Sequence, residues 1–347
     1  MTSVVLNIGP DVEGTYLKKG EEWMTKVVDA SHKNDTVTIK FTEGPALEQI
    51  MFEGKSFLNV LKDLCKTNNW PLEKFHFITM NLTQDKQAWP SISVMPLAGH
   101  FLSCQDVNHN DNKNIDKTFG MFVGRSSWDR LLIASHLYTK HNDKTIQTYR
   151  NYLDNPASVL HIDINRLLWQ VSSYNDENLS TIDVLESTVN FMKHLPLVLD
   201  NNHPGITHIQ WNSGAVGQDI MSWYDNIFID VVCEKMVTGQ VFFPTEKTGR
   251  PLATKTPFLI MAAPNYIKNL HKLGFRSFRR FWDESYDQQT GIQRVESIQR
   301  IIDDLAKLSK EELRIMYIEM LPILEHNHKT YHNLTGQSIC SNFYLAK

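Results

Sequence analysis

A carboxylate, an amine and a guanidinium occur within five residues at Glu246, Lys247 and Arg250. Thr245 precedes them, and threonine is one of the residues that cap the first turn of a helix. Lys247 and Arg250 are three residues apart, so they share a face of that helix. A helix N-terminus with two cations beside it is suited to hold a diphosphate, and the carboxylate can accept hydrogen bonds from a ribose. The alternative interpretation is a capped surface helix whose charges are solvated.

The segments around these residues alternate between strand and helix patterns. Directly downstream, the apolar run at residues 257–261 predicts a buried strand, and Ile227–Cys233 predicts another strand upstream. In the first half, residues 4–8, 36–41, 75–80 and 119–123 have strand patterns, while residues 56–66 and 128–139 have helical ones. This alternation favours an α/β fold with parallel, doubly wound sheets.

The length of 347 residues is sufficient for two domains with separate cores. A polar stretch at residues 173–180 is a candidate boundary. We therefore predict one domain over residues 1–175, a second over residues 176–305, and C-terminal helices with a tail over residues 306–347. Residues 81–117 are rich in Asn, Asp and Pro and predict a long loop, and loops of that length often carry function. The weak pattern beyond residue 334 predicts a flexible end.

Composition and charge limit the classes of function. The net charge is −4 with a pI near 6.4, whereas a dedicated nucleic-acid binder usually has a basic balance. No apolar run approaches the roughly 18 residues of a membrane span, and the N-terminus lacks the basic segment of a secretory signal. The 4 cysteines form no Cys-x-x-Cys pair, which favours reduced thiols in a cytoplasm. The 14 histidines show none of the common metal-ligand spacings, so we predict no metal site.

One region concentrates positive charge among aromatic residues. Its members are Lys268, His271, Lys272, Arg276, Arg279 and Arg280, interleaved with Phe275, Phe278 and Phe281. Cations with aromatic residues between them suit a phosphate backbone. In the alternative interpretation, the aromatic rings belong to the core and the cations form a solvated rim.

Several linked motifs resemble those of known glycosyltransferases. Thr245-Glu246-Lys247, followed by the strand beginning near Phe258, resembles the donor-nucleotide element of the exostosin-like and fucosyltransferase-like families. Two further motifs resemble a set of glycosyltransferases that is common in large tailed phages: the Leu-Gly-Phe-Arg-Ser-Phe turn at residues 273–278 and the Trp-Asp-Glu-Ser-Tyr-Asp box at residues 282–287. The resemblance covers residues 220–305 well and residues 118–140 loosely. It does not extend to residues 1–115.

This resemblance implies the GT-B architecture, in which two Rossmann-like domains face a cleft. It also implies that Lys247 and Arg250 contact the diphosphate of a nucleoside-diphosphate sugar, most simply a UDP-sugar, while Glu246 contacts the ribose. Glu234 ends a predicted strand, and ligands in such sheets bind at the carboxyl ends of strands. The Asp-x-Asp motif of metal-dependent glycosyltransferases is absent from the sequence. We therefore expect a metal-independent transfer with no cofactor beyond the sugar donor.

Other charged residues have two interpretations each. The carboxylates of Asp283, Glu284 and Asp287 would bind sugar hydroxyls of the donor, or they would cap a helix or pair with Arg279 and Arg280. Arg125 and Arg130 flank a predicted strand-to-helix turn, where they contact the acceptor or simply end a solvated helix. Arg276 and Arg279 are the remaining candidates for acceptor binding.

The phage-like resemblance implies a DNA acceptor, namely 5-hydroxymethylcytosine in double-stranded DNA, decorated with glucose or arabinose in a host cytoplasm. An inverting transfer needs a base to deprotonate the acceptor hydroxyl, and His100 and Asp106 in the long loop region are the candidates. A retaining transfer would not need such a base. Transfer to a polysaccharide or protein, and a non-catalytic module that binds nucleotide or DNA, are the alternative functions. We expect no membrane association and no obligate protein partner.

Overall fold

The computed structural model describes residues 2–8, 20–41, 47–52, 55–95, 98–106, 113–124, 126–149, 165, 182–197 and 218–345. The chain divides into two compact units. Unit 1 consists of Met1–Leu97, Thr238–Phe243 and Gly336–Lys347, and unit 2 consists of Ala98–Val237 and Pro244–Thr335. None of the described helices is long and apolar enough to cross a membrane.

Unit 1 contains a parallel sheet of four strands in the order β1-β2-β5-β6. Its elements, in chain order, are β1 (Ser3–Ile8), α1 (Gly20–Lys33), β2 (Thr36–Phe41), β3 (Met51–Phe52), β4 (Lys55–Ser56), α2 (Phe57–Asn68), β5 (Phe75–Thr79) and β6 (Ile92–Val94). The short strands β3 and β4 pair separately as an antiparallel hairpin. Among these described strands, the order in the main sheet proceeds in one direction without reversal.

The core of unit 1 follows from alternation along its strands. Val37, Ile39 and Phe41 of β2 are buried and alternate with less buried residues, as expected for a strand with one face against the core. Trp89 is buried beside the rings of Phe75 and Phe77. Its indole N–H donates to two backbone carbonyl oxygens, which satisfies the polar atom inside the core.

Unit 2 contains the second parallel sheet, in the order β10-β9-β7-β8. Its strands are β7 (Lys117–Val123), β8 (Thr145–Tyr149), β9 (Ile227–Cys233) and β10 (Phe258–Met261). Its described helices are α3 (Ala98–Phe101), α4 (Trp128–His141), α5 (Ile182–Met192), α6 (Gln218–Met221), α7 (Glu246–Ala253), α8 (Tyr266–Lys272), α9 (Gly291–Leu305) and α10 (Lys310–Asn333). A last helix, α11 (Gly336–Leu345), belongs to unit 1.

The strand order of unit 2 reverses beside β7. The chain passes from β7 to β8 on one side, and β9 then pairs with the other side of β7. In open α/β sheets, ligands bind outside the carboxyl ends of the strands at such a switch point. All seven residues of β9 are buried, so the strand is covered on both faces. The segments that follow β7 and β9 are therefore the candidate positions for a functional site.

The structure confirms an α/β fold with two parallel four-stranded sheets. Its compact units differ from the domain limits predicted at residues 175 and 305. Strands β7 and β8 precede residue 175 but share a sheet with β9 and β10, so hydrogen bonding unites both sides of that limit. The expectation of a flexible end beyond residue 334 is wrong, because α11 occupies Gly336–Leu345. The polar stretch at residues 173–180 lies outside the described residues.

Candidate functional site

The carboxylate of Glu234 fixes the start of α7 at the end of β9. Its Oε1 accepts hydrogen bonds from the backbone N–H of Thr245 at 3.0 Å and from the Thr248 hydroxyl at 2.7 Å. Its Oε2 accepts the Thr245 hydroxyl at 2.7 Å, and the Tyr266 hydroxyl donates to Oε1 at 3.2 Å. Glu234 is buried and fully hydrogen-bonded, so it positions the helix rather than offering a free carboxylate to a ligand.

Thr245 is the N-cap of α7, as predicted. Its backbone is extended, and its hydroxyl oxygen accepts the backbone N–H of Lys247 and the Lys247 ammonium at 3.1 Å. The same hydroxyl donates to Glu234, so both of its hydrogen-bonding capacities are used. The first turn of α7 is thus anchored to the carboxyl end of β9, at the side of the sheet where its strand order reverses.

Three basic side chains surround the carboxylate of Glu246. The Lys247 Nζ lies 2.9 Å from Oε1, the Arg250 Nη2 lies 3.9 Å from Oε1, and the His100 Nδ1 lies 3.7 Å from Oε2. Burial alone would raise the pKa of Glu246, but Lys247, His100 and Arg250 hold it well below its ordinary value. The same contact with Glu246 raises the pKa of His100. Glu246 is therefore an ionised acceptor at neutral pH.

The guanidinium of Arg250 is buried with unused hydrogen-bonding capacity. Its Nε–H has no hydrogen-bond partner among the described residues, and its ion pair with Glu246 is long. A buried guanidinium is ordinarily paired and hydrogen-bonded, because desolvating the charge is costly. Arg250 is 5% exposed. Arg250 lies in the last turn of α7, one turn after Lys247, and both side chains approach Glu246 in the first turn.

A second buried polar group lies beside Arg250. The Tyr224 hydroxyl donates to Asp230 Oδ2 at 2.6 Å, and burial raises the pKa of Asp230 to about 6 although Arg250 and Lys113 oppose that rise. Burial also lowers the pKa of Lys113 to about 7, and its ammonium donates to the Thr256 hydroxyl. Arg250 therefore interacts electrostatically with two acidic side chains, Glu246 and Asp230.

Arg130 connects the first turn of α4 to the end of β9. Its Nη2 donates to the carbonyl oxygens of Cys233 at 3.2 Å and Glu234 at 2.9 Å. Arg130 is buried, which corrects the prediction that it is exposed for contact with an acceptor. These bonds hold the segments that follow β7 and β9 together. Arg125, the other predicted acceptor contact, lies outside the described residues.

The carboxylates of the Asp-Glu-x-x-Asp box make local structural bonds. Asp287 accepts the backbone N–H groups of Ile267 at 3.0 Å and Lys268 at 3.1 Å, which caps α8, and it pairs with Arg294 at 3.3 Å. Glu284 accepts the backbone N–H of Phe278, and Asp283 accepts from Ser285. Of the two predicted roles, these contacts match the capping one. Within the described residues, none of the three carboxylates pairs with Lys247 or Arg250.

The remaining predicted residues are exposed. Arg276 and Arg279 face solvent, whereas Phe275 and Phe278 beside them are buried in the core. This burial pattern matches the alternative interpretation of the region, in which the aromatic rings belong to the core and the cations form a solvated rim. The two arginines are nevertheless accessible to phosphates. Asp106 is exposed as well. Of the two predicted bases, His100 therefore meets the α7 residues through Glu246.

The sequence interpretation did not identify Tyr224 and Asp230 as a buried pair, nor Gly249 as a point of close packing. A Cβ on Gly249 would lie 2.4 Å from the Phe101 carbonyl oxygen and 2.8 Å from the Tyr331 hydroxyl. Asp230 in the middle of an apolar strand was the available signal, because a carboxylate there must be buried. Gly249 contacts residues that are far away in the sequence, so no local sequence pattern predicts its close packing.

Side chains able to hold a metal are grouped elsewhere in unit 2. Among the described residues, His136, His141 and Asp303 place their ligand atoms within 4.8 Å of one another. The two histidines lie on α4 and the aspartate lies on α9. Their spacing matches none of the patterns sought in the sequence, which explains why they were not recognised there.

Comparison with known proteins does not assign the chain. It matches no family model. No curated protein is similar to it at a significant level. The geometry of α7 and of the residues around it is therefore the basis for a functional proposal.

Proposed function

We propose that the protein is a glycosyltransferase of GT-B type that binds the diphosphate of a nucleoside-diphosphate sugar at the N-terminus of α7. One observation carries the proposal: Arg250 is buried with its Nε–H unpartnered among the described residues, one turn after Lys247, where α7 begins beside the reversal in strand order. An anion at this position would complete the hydrogen bonding of the guanidinium. A diphosphate has the charge and the number of acceptor oxygens to do so.

The local charge balance supports an anionic ligand. Lys247 and Arg250 carry two positive charges beside the negative charge of Glu246, and His100 adds a third when protonated. The carboxyl group of Asp230 also acts on Arg250, and the ammonium of Lys113 acts in turn on Asp230. The helix N-terminus contributes a partial positive charge. Lys247 is partly accessible, with a side chain that is 20% exposed, so a ligand can reach it. In the transfer, the two cations would stabilise the charge that develops on the leaving diphosphate.

Glu246 and His100 take the remaining roles in this proposal. Glu246 is ionised and accepts hydrogen bonds, which suits the hydroxyl groups of a ribose. His100 faces Glu246 through Nδ1, and its Nε2 has no hydrogen-bond partner within the described residues. An imidazole oriented by a carboxylate is an effective general base for an acceptor hydroxyl. The proposal therefore assigns deprotonation to His100 in an inverting transfer.

For the acceptor we propose 5-hydroxymethylcytosine in double-stranded DNA. The support is the exposed row of Arg276, Arg279 and Arg280, which is available to phosphates. The target base would leave the stack to reach the reacting carbon of the sugar. The net charge of −4 requires that this contact depend on local rather than overall charge.

The proposal is tested first by ligand binding. Thermal unfolding is measured with UDP, GDP, CDP and dTDP, and with their sugar conjugates. A diphosphate at 100 times its dissociation constant should add roughly 2.7 kcal/mol to stability. Lys247→Ala should weaken that nucleotide by about 1.5–3 kcal/mol, which is roughly a tenfold to hundredfold loss of affinity. Lys307→Ala, at an exposed lysine paired only with Asp304, is the matched control and should bind like the wild type.

Transfer is then measured with the donor that binds. Mass spectrometry of nucleosides from hydroxymethylated DNA should show an added hexose or pentose. Transfer to glycan or protein acceptors but not to DNA would overturn the DNA assignment and keep the enzyme. Binding without transfer to any acceptor would indicate a nucleotide-binding module. Failure of every nucleoside diphosphate to bind, or equal binding by Lys247→Ala, would overturn the proposed function itself.

A further inference from the structure

The C-terminal end of α4 brings two imidazoles to one carboxylate. The Nε2 atoms of His136 and His141 each lie 2.7 Å from the same oxygen, Oδ1 of Asp303. His141 is five positions after His136, a spacing that would place the two histidines on different faces of a regular helix. His141 has φ −137° and ψ 27°, so the backbone leaves the helical conformation there. That departure turns the second imidazole toward the first.

The aspartate is held opposite these histidines by helix packing. Gln299 of α9 donates from Nε2 to the carbonyl oxygen of Leu132 in α4 at 3.2 Å. Asp303 lies one turn beyond Gln299, and His136 lies one turn beyond Leu132. The hydrogen bond therefore sets the register of the two helices and places Asp303 beside His136. The convergence of the three side chains is a product of the fold rather than of flexible surface groups.

The three ligand atoms have the types and spacing that a transition cation requires. They lie within 4.8 Å of one another, and His136 is buried. Metal–ligand bonds are about 2.0–2.2 Å long for imidazole nitrogen and carboxylate oxygen. A single ion can therefore contact all three ligand atoms if Oδ1 moves slightly away from the two imidazoles. Two imidazoles with one carboxylate favour zinc and its neighbours over calcium or magnesium, which prefer oxygen ligands.

The surroundings supply an outer shell and space for further ligands. Lys140 Nζ lies 3.8 Å from Oδ2, the other oxygen of Asp303, while Oδ1 is the oxygen that both imidazoles approach. A cavity of about 300 Å³ adjoins the group and is lined by Leu132, His136, Lys140, Glu296, Arg300 and Asp303. Water molecules in this cavity can complete a tetrahedral or five-coordinate shell.

We propose that His136, His141 and Asp303 bind one divalent transition cation, of which zinc is the representative, and that this ion ties the end of α4 to α9. The site is at the opposite end of α4 from Arg130. His141 is eleven positions after Arg130 along the helix, a rise of roughly 16 Å. The proposal is therefore independent of the nucleotide site at α7, and neither depends on the other.

The test uses the full chain after dialysis against a chelator. Co²⁺ is added in steps while its visible absorption is recorded, and Zn²⁺ is titrated against a chromophoric chelator. We expect one equivalent of each metal, with Co²⁺ bands typical of nitrogen and oxygen ligands. Asp303→Asn, which keeps the shape of the side chain, and His141→Ala should each lower Zn²⁺ affinity by more than roughly tenfold. Circular dichroism without metal verifies that both variants are folded.

A matched control is available on α10. His328 and His332 lie one turn apart with ring centroids separated by 4.2 Å, the arrangement of an adventitious chelating pair. The double variant His328→Ala, His332→Ala should retain full affinity and the same Co²⁺ spectrum. Absence of stoichiometric binding would overturn the proposal. So would binding that survives Asp303→Asn and His141→Ala but disappears in the α10 control. A further expected result is that Zn²⁺ raises the melting temperature of the wild type and not that of Asp303→Asn.

Discussion

Glu234 and Thr245 are joined by two hydrogen bonds, one to the backbone and one to the side chain. Oε1 of Glu234 accepts the Thr245 N–H at 3.0 Å, while Oε2 accepts the Thr245 hydroxyl at 2.7 Å. The end of β9 and the start of α7 are therefore fixed to each other by a single residue. Because Lys247 and Arg250 follow Thr245 directly, the position of both cations depends on this pair.

Glu234→Gln tests this dependence. The amide keeps one acceptor oxygen but turns its NH₂ group toward a donor, so at least one buried hydrogen bond is lost. We expect a loss of about 1–3 kcal/mol in the free energy of unfolding, measured by urea denaturation. Glu319→Gln, at an exposed position of α10, is the control and should leave stability unchanged. Equal stability of the two variants would show that the Glu234 carboxylate does not anchor α7.

Gly249→Ala tests the close packing of α7. The new Cβ would lie 2.4 Å from the backbone oxygen of Phe101, which cannot move as a side chain can. Overpacking of this kind costs about 1–3 kcal/mol, and relief by shifting α7 would displace Lys247 and lower nucleotide affinity. Gly99→Ala is matched because nothing lies within 4 Å of its Cβ. We expect Gly99→Ala to be neutral in both urea denaturation and nucleotide titration.

Asp287→Asn separates a structural role from donor binding. The substitution leaves the buried guanidinium of Arg294 without its counter-charge, and removing one partner of a buried pair typically costs about 3–5 kcal/mol. We expect a much lower urea midpoint with unchanged nucleotide affinity. Asp283→Asn, whose contacts are with Ser285 at the surface, should change neither quantity. A loss of affinity in Asp287→Asn, measured well below its melting temperature, would restore the donor-binding role.

The raised pKa of Asp230 predicts that the free energy of unfolding decreases as the pH rises. Its pKa in the folded protein is raised to about 6, so the folded state binds this proton more tightly than the unfolded state does. The contribution of Asp230 to the free energy of unfolding is therefore fully present below about pH 4, and it is lost as the pH rises through about 6. The difference from the ordinary value corresponds to roughly 3 kcal/mol.

The measurement compares urea denaturation of the wild type and Asp230→Asn between about pH 4 and about pH 7. Tyr224, Arg250 and Lys113 are present in both proteins, so the pH-dependent part of the difference comes from the Asp230 carboxyl group and its interactions with them. We expect Asp230→Asn to gain stability relative to the wild type as the pH rises. A constant difference across this range would contradict the raised pKa.

Local patterns in the sequence were sufficient for most elements near the site. The limits of β2 and β9 agree with the predicted strands, and Thr245 is confirmed as the N-cap of α7. These features depend on residues close in the chain: apolar runs bounded by polar residues, and a threonine before a charged turn. The parallel α/β class followed from the same alternation.

Features that depend on distant contacts could not be predicted in this way. His100 was selected as a possible base, but its contact with Glu246 arises only when α3 and α7 come together. The role of Asp287 was undecided because a helix cap and a sugar ligand require the same carboxylate. The domain limit failed to match the units because the pairing of β7 with β9 unites segments on both sides of residue 175.

The segment Thr238–Phe243 interrupts unit 2 in the sequence, and this limits where the protein can be cut into separate units. That segment belongs to unit 1, where the Phe242 carbonyl accepts the Leu82 N–H and the Phe242 ring stacks on Phe343 at 5.5 Å. Cutting the chain after Leu97 would therefore separate Phe242 from Leu82, although Phe343 would stay in the same fragment as Phe242. Neither unit can be excised as one uninterrupted stretch of chain. Insertions between Glu234 and Thr245 would have to preserve both the fold of unit 1 and the anchor of α7.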